Sequence, residues 1–355
     1  MSSQKGEQMA NKIRPKEEVL FPILPQPTGI ARLASHAAHA DDGHLIEFKA
    51  LEVRSILNKS TSKRLRWLAW SINPYRGCEF GCKYCYARYT HEFMELRDPL
   101  DFERIIFLKQ NAAWLLEQEL RKIDPADEIA IGTATDPYQP IERRARITRS
   151  LLEVFARRQG HHLGIITKSR LIERDIDLLT KIAKRNKLVL HITITTPNTE
   201  LARLLEPRAP RPDLRFRAVK RLREVGLRTG ILCCPLLPGI TDTQEALNEM
   251  ARRAAEVGAS FLAANPLFLK PCSRPTYLSF VREHFPALVD DYAKRFDHAD
   301  FAAPDYRQKL ARMVEQARQL HGLGQRPLDV MPQPGNTVRK PPESVGIAVQ
   351  QSLFA

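Results

Sequence analysis

Six short apolar runs that alternate with helical patterns constrain the fold of this 355-residue chain more than any other feature. The runs are residues 65–72, 129–134, 163–167, 188–195, 229–235 and 260–264. Apolar spacing predicts helices between them, over 102–122, 148–158, 173–185, 213–225 and 242–257. Strands that alternate with helices form βαβ units and therefore a parallel sheet. Right-handed crossovers would curl this sheet into a partial barrel.

The segments on either side of this alternation differ in composition. Residues 1–43 are polar and contain several prolines, and residues 321–355 are rich in Pro, Gly and Gln. Both segments are expected to be mostly flexible because they cannot bury enough apolar surface. We therefore expect one core domain over 44–320, with a lead-in strand at 45–48 and a short helix at 52–58. Helices at 276–284, 287–295 and 305–321 are expected to cap it.

Polar residues follow each predicted strand. They occupy 73–86, 135–142, 168–170, 195–198 and 235–241. In a barrel of parallel strands, functional groups lie at the carboxyl ends of the strands. The chemistry of the chain is therefore expected at this end of the sheet.

Three cysteines stand after the first strand, with the spacing C-x3-C-x2-C: Cys78, Cys82 and Cys85. Three thiolates can hold three irons of a [4Fe–4S] cluster and leave the fourth iron open to a small molecule. A structural zinc site would need four ligands, and no fourth Cys or well-spaced His lies nearby. Three ordinary buried thiols, or zinc, are the alternatives. Six cysteines in a chain of this length do not suggest a disulfide framework.

The charge balance favours an anionic partner. The formal net charge is +14 at pH 7, and nucleic acid is the first candidate for such a basic chain. A basic, solvated surface is the alternative. No run of 18 apolar residues occurs, and the amino terminus has no apolar core of a secretory signal. No membrane association and a cytoplasmic location are expected.

Several segments recur in the order of a known family. They are Asn73-Pro74-Tyr75-Arg76-Gly77-Cys78, Cys85-Tyr86-Ala87-Arg88, Thr135-Asp136-Pro137-Tyr138-Gln139-Pro140-Ile141-Glu142, Thr167-Lys168-Ser169, Leu205-Glu206-Pro207-Arg208-Ala209 and Pro238-Gly239-Ile240. The cysteine spacing and Tyr84 resemble the signature of the radical S-adenosylmethionine (radical SAM) superfamily. The full set resembles its members related to spore photoproduct lyase, a DNA repair enzyme. The resemblance covers roughly residues 44–320.

This resemblance implies a fold and a reaction. The fold is α/β, a partial (β/α)6 TIM-like barrel with carboxyl-terminal capping helices. The implied cofactors are a [4Fe–4S] cluster on the three cysteines and S-adenosylmethionine on the open iron. Reductive cleavage of S-adenosylmethionine would give methionine and a 5′-deoxyadenosyl radical. An external electron donor similar to flavodoxin or ferredoxin is implied as a partner.

The resemblance also assigns cofactor-binding residues. Tyr84 is the aromatic residue of the cluster loop, and Thr135 matches a hydroxyl residue that contacts the cofactor. Lys168 matches a lysine that binds the cofactor carboxylate, which suits a point charge. Thr193 or Thr195 is expected to face the ribose; strand alternation is taken to separate them, and the choice stays open.

Hydrogen transfer is the least determined part of the reaction. Tyr86 stands where the related lyase has a tyrosine implicated in this step, although core packing would also explain it. The lyase has a cysteine on its second strand, and residues 132–136 contain none. Cys233 and Cys234 end the fifth strand, and alternation would aim one of them inward. Cys234 is taken as the candidate donor, and inert buried thiols are the alternative.

Three further polar residues in these motifs each allow two interpretations. Asp136 and Glu142 flank a rigid Pro-Tyr-Gln-Pro turn. They could line a substrate pocket or stabilise the turn. Arg208 could bind an anion or pair with Glu206.

The final residues, Gln350-Gln351-Ser352-Leu353-Phe354, resemble the bacterial sliding-clamp-binding motif. Leu353 and Phe354 would anchor in an apolar pocket of the clamp, and an accidental tail is the alternative. The predicted function is a radical SAM enzyme acting on nucleic acid, with a lyase-like role in DNA repair or modification. The alternatives are a protein or small-molecule substrate, or a non-catalytic iron–sulfur redox sensor that binds DNA. Lys168 and Thr135 argue against the sensor, which needs no site for a cofactor carboxylate.

Overall fold

A sheet of six parallel strands in chain order forms the centre of the molecule. The computed structural model describes residues 28–35, 39–43, 46–60, 68–296 and 299–325. Its strands are β1 His39–Gly43, β2 Ile46–Leu51, β3 Leu57–Lys59, β4 Trp70–Ile72, β5 Tyr75–Arg76, β6 Ile105–Lys109, β7 Glu128–Ile131, β8 His162–Thr167, β9 Lys187–Thr193, β10 Thr229–Leu236 and β11 Leu262–Pro266. The large sheet has the order β11-β10-β9-β8-β7-β4-β3, and only the edge strand β3 is antiparallel to its neighbour. This order confirms the partial TIM-like barrel.

The described ranges contain thirteen α-helices. They are α1 Gly29–Ser35, α2 Tyr89–Glu92, α3 Asp101–Arg104, α4 Ala112–Glu119, α5 Glu142–Ala145, α6 Ile147–Ala156, α7 Ile176–Ala183, α8 Thr199–Leu205, α9 Pro212–Glu224, α10 Gln244–Glu256, α11 Arg274–His284, α12 Val289–Phe296 and α13 Pro304–Leu320. Helices α6, α7 and α9 to α13 agree with the predicted patterns to within a few residues, whereas α1, α2, α5 and α8 were not predicted. The hydroxyl of Thr243 caps α10 by accepting from the Ala246 amide at 3.2 Å. Gly258 ends the same segment at φ +68°, a conformation in which glycine carries no steric cost.

The two faces of the large sheet bury different sets of side chains. On the outer face, Ile165, Ile192 and Ile231 join helix residues such as Leu151 and Leu247 in the main core. The inner face carries a smaller cluster built on Leu232, Phe261 and Ala263. Phe261 lies so close to Gly230 that a β-carbon there would overlap its ring. The sheet therefore has a helix-covered face and an inner face, as a barrel requires.

A second, four-stranded sheet has the order β1-β2-β6-β5. Its strand β6 lies inside the predicted helix 102–122, so that prediction was wrong for residues 105–109. Four consecutive apolar residues, Ile105 to Leu108, pair on one side with β2 and on the other with β5. Such a run is typical of a buried strand, and the helix begins only at Ala112. Strand β5 then leads directly into the cysteine loop.

The predicted helix at 52–58 was also wrong. The backbone amides of Ile56 and Leu57 donate to the Glu119 carboxylate at 3.2 and 2.8 Å. Strand β3 then pairs with β4. Partners about 60 residues away thus take the hydrogen bonds that a helix would have made internally.

The ends of the chain fall largely outside the described residues. Residues 1–27 and 326–355 are among those not described, so the boundaries at 43 and 321 and the carboxyl-terminal motif stay predictions. Within the described ranges, no helix has both the length and the apolar character needed to cross a membrane.

Candidate functional site

The cysteine loop begins at Gly77, where the backbone approaches α3 and β6 closely. Gly77 has φ +83°, and a β-carbon there would lie 2.8 Å from the carbonyl oxygens of Phe102 and Ile105. The Cys78 amide donates to the same Phe102 carbonyl at 2.9 Å. Only glycine fits this position, because a side chain would meet backbone that cannot move away. The first cysteine is thereby fixed to α3, directly before β6.

Two arginines and one glutamate hold the middle of the loop. Buried Arg88 donates to the Cys82 carbonyl at 3.1 Å and to Glu103 Oε1 at 3.2 Å. Arg208 pairs with the other oxygen of Glu103 and donates to the Glu79 carbonyl. Gly81, at φ +64°, lies against this pair and leaves no room for a β-carbon. Arg208 therefore pairs with Glu103, not with Glu206 as one interpretation of the sequence had it.

Residues after β7 fasten the other side of the loop. The Thr135 hydroxyl donates to the Gly77 carbonyl at 2.6 Å, and Gln139 Nε2 donates to the same oxygen at 3.3 Å. In return, the Glu79 amide donates to Gln139 Oε1 at 2.9 Å and Glu79 Oε1 accepts from the Ile141 amide at 2.7 Å. The conformation of the loop thus depends on residues that follow β7 and are distant from the loop in sequence.

The three thiols lie among apolar side chains. Cys82 is buried, Cys78 and Cys85 are partly exposed, and all three belong to a cluster that includes Phe80 and Tyr84. Burial raises the pKa of each thiol, to about 12 for Cys82. Lys168 opposes this increase at Cys82, and Arg88 opposes it at Cys85. Nearby cations thus favour thiolates, the form that binds metal.

Lys168 lies at the end of β8, where the sequence placed it. Its Nζ atom is 5.7 Å from the centre of the Tyr84 ring. Burial acts to lower the pKa of Lys168, but the Cys82 thiolate and Glu206 outweigh burial and raise it above the usual lysine value. The side chain is therefore held as a cation beside the cysteine loop.

A buried charge pair lies beneath this lysine. Arg215 Nη2 is 2.5 Å from Glu206 Oε2, and each side chain is 1% exposed. The Tyr84 hydroxyl donates to Glu206 Oε1, which also accepts from Thr195 Oγ1 at 2.9 Å. Burial raises the pKa of Glu206, but Arg215 and Lys168 together bring it below the usual glutamate value. Glu206 thus links the two predicted cofactor residues Tyr84 and Thr195.

Sequence reasoning missed Arg215, although a signal was present. Helix α9 buries positions 212, 215, 216, 219 and 222, the spacing of an inward face. An arginine in that row predicts a buried anionic partner, because a buried charge needs one. Its Nη1 also donates to the Thr193 carbonyl at 3.1 Å.

The expectation that strand alternation separates Thr193 from Thr195 was wrong. The two residues are two positions apart, so an extended backbone places both side chains on one face. That face is shared with His191, which contacts the inner residue Phe261 at 5.3 Å between ring centres. Both threonines are buried, and their carbonyl and hydroxyl groups contact Arg215 and Glu206.

The two consecutive cysteines of β10 face opposite sides of the sheet. Cys233 is buried in the helix-covered core, and its thiol lies 3.5 Å from the Thr195 carbonyl. Cys234 packs with the inner cluster of Leu232, Phe261 and Ala263. The sequence argument that only one of them would point inward therefore agrees with the structure.

Tyr86 follows the last loop cysteine and is partly buried by neighbours from the carboxyl-terminal region. Its ring lies 4.8 Å from that of Phe268, and its hydroxyl donates to the Thr133 carbonyl. The thiol of Cys272 lies 3.9 Å from the Tyr86 carbonyl. Tyr86 thus joins the cysteine loop to residues after β7 and after β11.

Asp136 and Glu142 flank the Pro-Tyr-Gln-Pro turn and have different hydrogen-bond partners. Asp136 accepts from the Tyr138 amide at 2.9 Å, from the Thr167 hydroxyl at 2.6 Å and from the Lys168 amide at 2.7 Å. Fully buried Glu142 accepts from Tyr75 and from the Thr148 amide at 2.9 Å, and it pairs with Arg174 at 2.7 Å. Stabilisation of the turn therefore describes Asp136, whereas the carboxylate of Glu142 holds residues outside the turn.

The donor set suits an iron–sulfur cluster by its chemistry. As placed, no group of three or more His, Cys, Asp or Glu side chains in the described residues could hold a metal ion. The fit rests on three thiols carried by one anchored loop, since Cys is the usual ligand of such clusters. The cation Lys168 beside them suits a ligand carboxylate.

Sequence comparison places this chain among known proteins. The model of the radical SAM superfamily matches residues 72–254. An uncharacterized protein of Mycobacterium tuberculosis is 30% identical over 332 residues, which cover 93% of this chain and 94% of the relative. An uncharacterized protein of Methanocaldococcus jannaschii is 30% identical over 178 residues, half of this chain and 64% of the relative.

Solved structures share the fold. A mutant of spore photoproduct lyase superposes with a TM-score of 0.58 at 16% identity, over 77% of this chain and 79% of that one. A second mutant, with bound AdoMet and dinucleoside spore photoproduct, gives 0.57 at 15% identity over the same shares. At this level of identity the likeness shows the fold alone.

Proposed function

The chain belongs to the radical SAM superfamily and is an enzyme of that class. On this premise we propose that it cleaves S-adenosylmethionine reductively and uses the product radical on a nucleic-acid substrate. Cys78, Cys82 and Cys85 would hold a [4Fe–4S] cluster, and a flavodoxin- or ferredoxin-like protein would supply electrons. The chemistry of such a cluster is one-electron reduction of S-adenosylmethionine, which releases methionine and a 5′-deoxyadenosyl radical. The overall reaction would be lyase-like DNA repair or modification.

The position of Lys168 is the observation that carries this proposal. It is a cation at a strand end, beside the cysteine loop, and it has the charge and the place to bind the cofactor carboxylate. Thr135 and Tyr84 fix the loop and the Glu206 pair next to it. Thr193 and Thr195 share the face on which the ribose would lie. A non-catalytic sensor would have no use for this combination.

The charge of the surface supports a nucleic-acid substrate. A groove of about 380 Å³ lies between the 3-10 helix Arg170–Asp175 and α9. It is lined by four cations and two acids: Arg170, Arg217, Lys220, Arg221, Glu173 and Glu224. Arg170 and Arg221 pair with Glu173 and Glu224 at 3.5 and 3.7 Å, so the positive excess of the groove comes from Arg217 and Lys220. A positive excess suits a phosphate backbone. A protein or small-molecule substrate is the alternative.

Tyr86 and Cys234 are the proposed hydrogen-transfer residues. Cys234 is supported because its side chain lies on the inner face of the sheet, whereas the side chain of Cys233 lies in the helix-covered core on the other face. An S–H group is a better hydrogen-atom donor than the hydroxyl of Thr135. Both residues are tested by supplying deuterium either in the cofactor or in the solvent. The deuterium content of the product is then measured.

The proposal is tested by assembling the cluster without air and adding dithionite and S-adenosylmethionine. We expect 5′-deoxyadenosine from the wild type. Lys168→Met should weaken S-adenosylmethionine binding about 10- to 100-fold, since a hydrogen bond to a charged group contributes about 1.5–3 kcal/mol. Lys181→Met, an exposed lysine of α7, is the matched control and should change binding less than twofold. An intact cluster that forms no 5′-deoxyadenosine would contradict the proposal.

Nucleic-acid binding is measured separately with an oligonucleotide at increasing salt. Each phosphate contact lowers affinity as salt rises, with a slope of about −0.7 to −0.9 per contact on logarithmic axes. A steep slope supports the proposed substrate. A flat slope together with cofactor cleavage would leave a protein or small molecule as the substrate.

We also propose that Gln350–Phe354 bind the bacterial sliding clamp. These residues lie outside the described structure, and the support is the sequence motif alone. A titration of purified clamp compares the full chain with a chain that ends at Val349. Equal affinity of the two chains would remove the proposal.

A further inference from the structure

Two cations lie on one face of the small sheet, directly before the cysteine loop. Arg76 in β5 pairs across the sheet with Phe107 in β6. Lys109 is two residues after Phe107, so it is on the same face as Arg76 and diagonal to it. Arg76 directly precedes Gly77, at which the cysteine loop starts. The pair is therefore adjacent to the candidate site and carried by rigid backbone.

Lys109 lacks a polar partner of its own. Lys109 is only 4% exposed. Its ammonium group makes no hydrogen bond or ion pair with any residue that the structure describes. Arg76 Nε is also buried, without a hydrogen-bond partner in the described chain. Buried Arg88 and Arg215, by contrast, pair with Glu103 and Glu206. Uncompensated buried cations are unusual, because an isolated charge is costly to remove from water.

The surroundings do not supply the missing negative charge. Glu119 attracts Lys109, but its carboxylate already accepts the amides of Ile56 and Leu57. Burial and then repulsion from Arg76 outweigh it and lower the pKa of Lys109 to about 7. His91, packed on Phe107, has its pKa lowered to about 4, chiefly by burial, and is neutral.

The outer side of this pair also carries positive charge. Tyr89 lies close enough to Arg76 to interact with it electrostatically. The Nζ atom of Lys270 lies 4.2 Å from the centre of the Tyr89 ring. Arg76 is partly exposed, so a ligand can reach its side chain, and Lys109 is buried on the same face of the sheet. The site is thus accessible from the side of Arg76.

We propose that Arg76 and Lys109 form an anion-binding subsite that takes a phosphate group. A guanidinium presents a planar fork of donors that matches phosphate oxygens, and an ammonium adds a point charge. A bound phosphate would compensate both charges and leave Lys109 protonated. The phosphate could belong to a nucleic-acid strand or to a small phosphorylated molecule. The subsite requires neither the cluster nor S-adenosylmethionine.

The experiment uses the full chain, purified without reductant or S-adenosylmethionine, so its result is independent of the proposed reaction. Binding of inorganic phosphate is measured by calorimetry at constant ionic strength, with chloride as the reference salt. We expect Lys109→Met to weaken phosphate binding about 10- to 100-fold, the effect of losing one charged hydrogen bond. Arg76→Gln should weaken it by a similar factor.

The matched control is Lys49→Met on the adjacent strand β2. Lys49 belongs to the same sheet and forms an ion pair with Glu47 at 3.2 Å, so its loss should change phosphate affinity less than twofold. Thermal unfolding in chloride checks that each variant folds. The Lys109→Met variant should be at least as stable as the wild type, because it removes a buried charged group without a partner.

Competing ligands decide the source of the phosphate. A nucleoside 5′-monophosphate and a dinucleotide with one internal phosphodiester are titrated against inorganic phosphate. Competition by the dinucleotide supports a nucleic-acid strand as the ligand, and competition by the monophosphate alone supports a small molecule. No specific phosphate binding by the wild type, or equal affinity of the Lys109→Met and Lys49→Met variants, would overturn the subsite.

Discussion

Cys82→Ser is expected to abolish 5′-deoxyadenosine formation and to lower the iron bound after reconstitution. Cys82 is the most buried of the three loop cysteines, and Lys168 and Arg215 both favour its thiolate. A serine hydroxyl does not ionise under these conditions and is a poor ligand for an iron–sulfur cluster. Iron and sulfide analysis, with chromatography of the cofactor products, measures both effects.

The matched control for this variant is Cys272→Ser. Cys272 is a partly buried thiol outside the loop, near the Tyr86 carbonyl. Its replacement should leave the iron content unchanged. A Cys82→Ser protein that keeps wild-type iron and activity would show that the loop is not the cluster site.

Arg215→Met is expected to destabilise the protein by about 3–5 kcal/mol, the cost of leaving a buried charge without its partner. Glu206 would remain buried, with Tyr84 and Thr195 as its hydrogen-bond donors. Urea unfolding followed by circular dichroism measures the change. Arg217→Met is the control on the same helix, since Arg217 is exposed and pairs with Asp213 at 3.3 Å. Its effect should stay below about 1 kcal/mol.

A second change separates charge from packing in this pair. The double variant Glu206→Gln with Arg215→Met removes both charges and should recover part of the loss. The pKa of Glu206 is below its usual value in the folded chain. Its stabilising contribution is therefore complete at pH values above the ordinary glutamate pKa and is lost as the pH falls through the lower folded value. An Arg215→Met protein as stable as the Arg217→Met protein would show that the pair contributes little.

The sequence was sufficient for the large sheet because its strands carry their own signals. Runs such as 163–167 and 229–235 are apolar, short and separated by helical periods, so local pattern and global fold agree. The two wrong elements, 52–58 and 105–109, depend on partners elsewhere. Glu119 takes the amides of Ile56 and Leu57, and β6 exists because β2 and β5 flank it. The local sequence leaves these elements undecided, because a short apolar run such as 105–108 fits either a buried strand or part of a helix.

The candidate site divides in the same way. Lys168 could be assigned because the family resemblance and its position after a predicted strand indicate the same role, since strand ends converge in a barrel. The pairing of Arg208 with Glu103 could not be predicted, because Glu103 is 105 residues away in the sequence and lies within the predicted helix 102–122. The sequence allows two interpretations of Asp136 and Glu142, because a carboxylate beside a turn gives the same pattern whether it lines a pocket or accepts hydrogen bonds from backbone amides.

The packing of Phe261 against Gly230 and His191 closes the lower part of the inner face. These residues lie on or next to three neighbouring strands: Phe261 directly precedes β11, Gly230 is near the start of β10, and His191 pairs with Gly230 from β9. Cys234 packs against the same cluster, so its thiol lies directly above this filled region. Any change that empties the region, such as Phe261→Ala, would therefore remove packing beneath Cys234 without touching the cysteine loop.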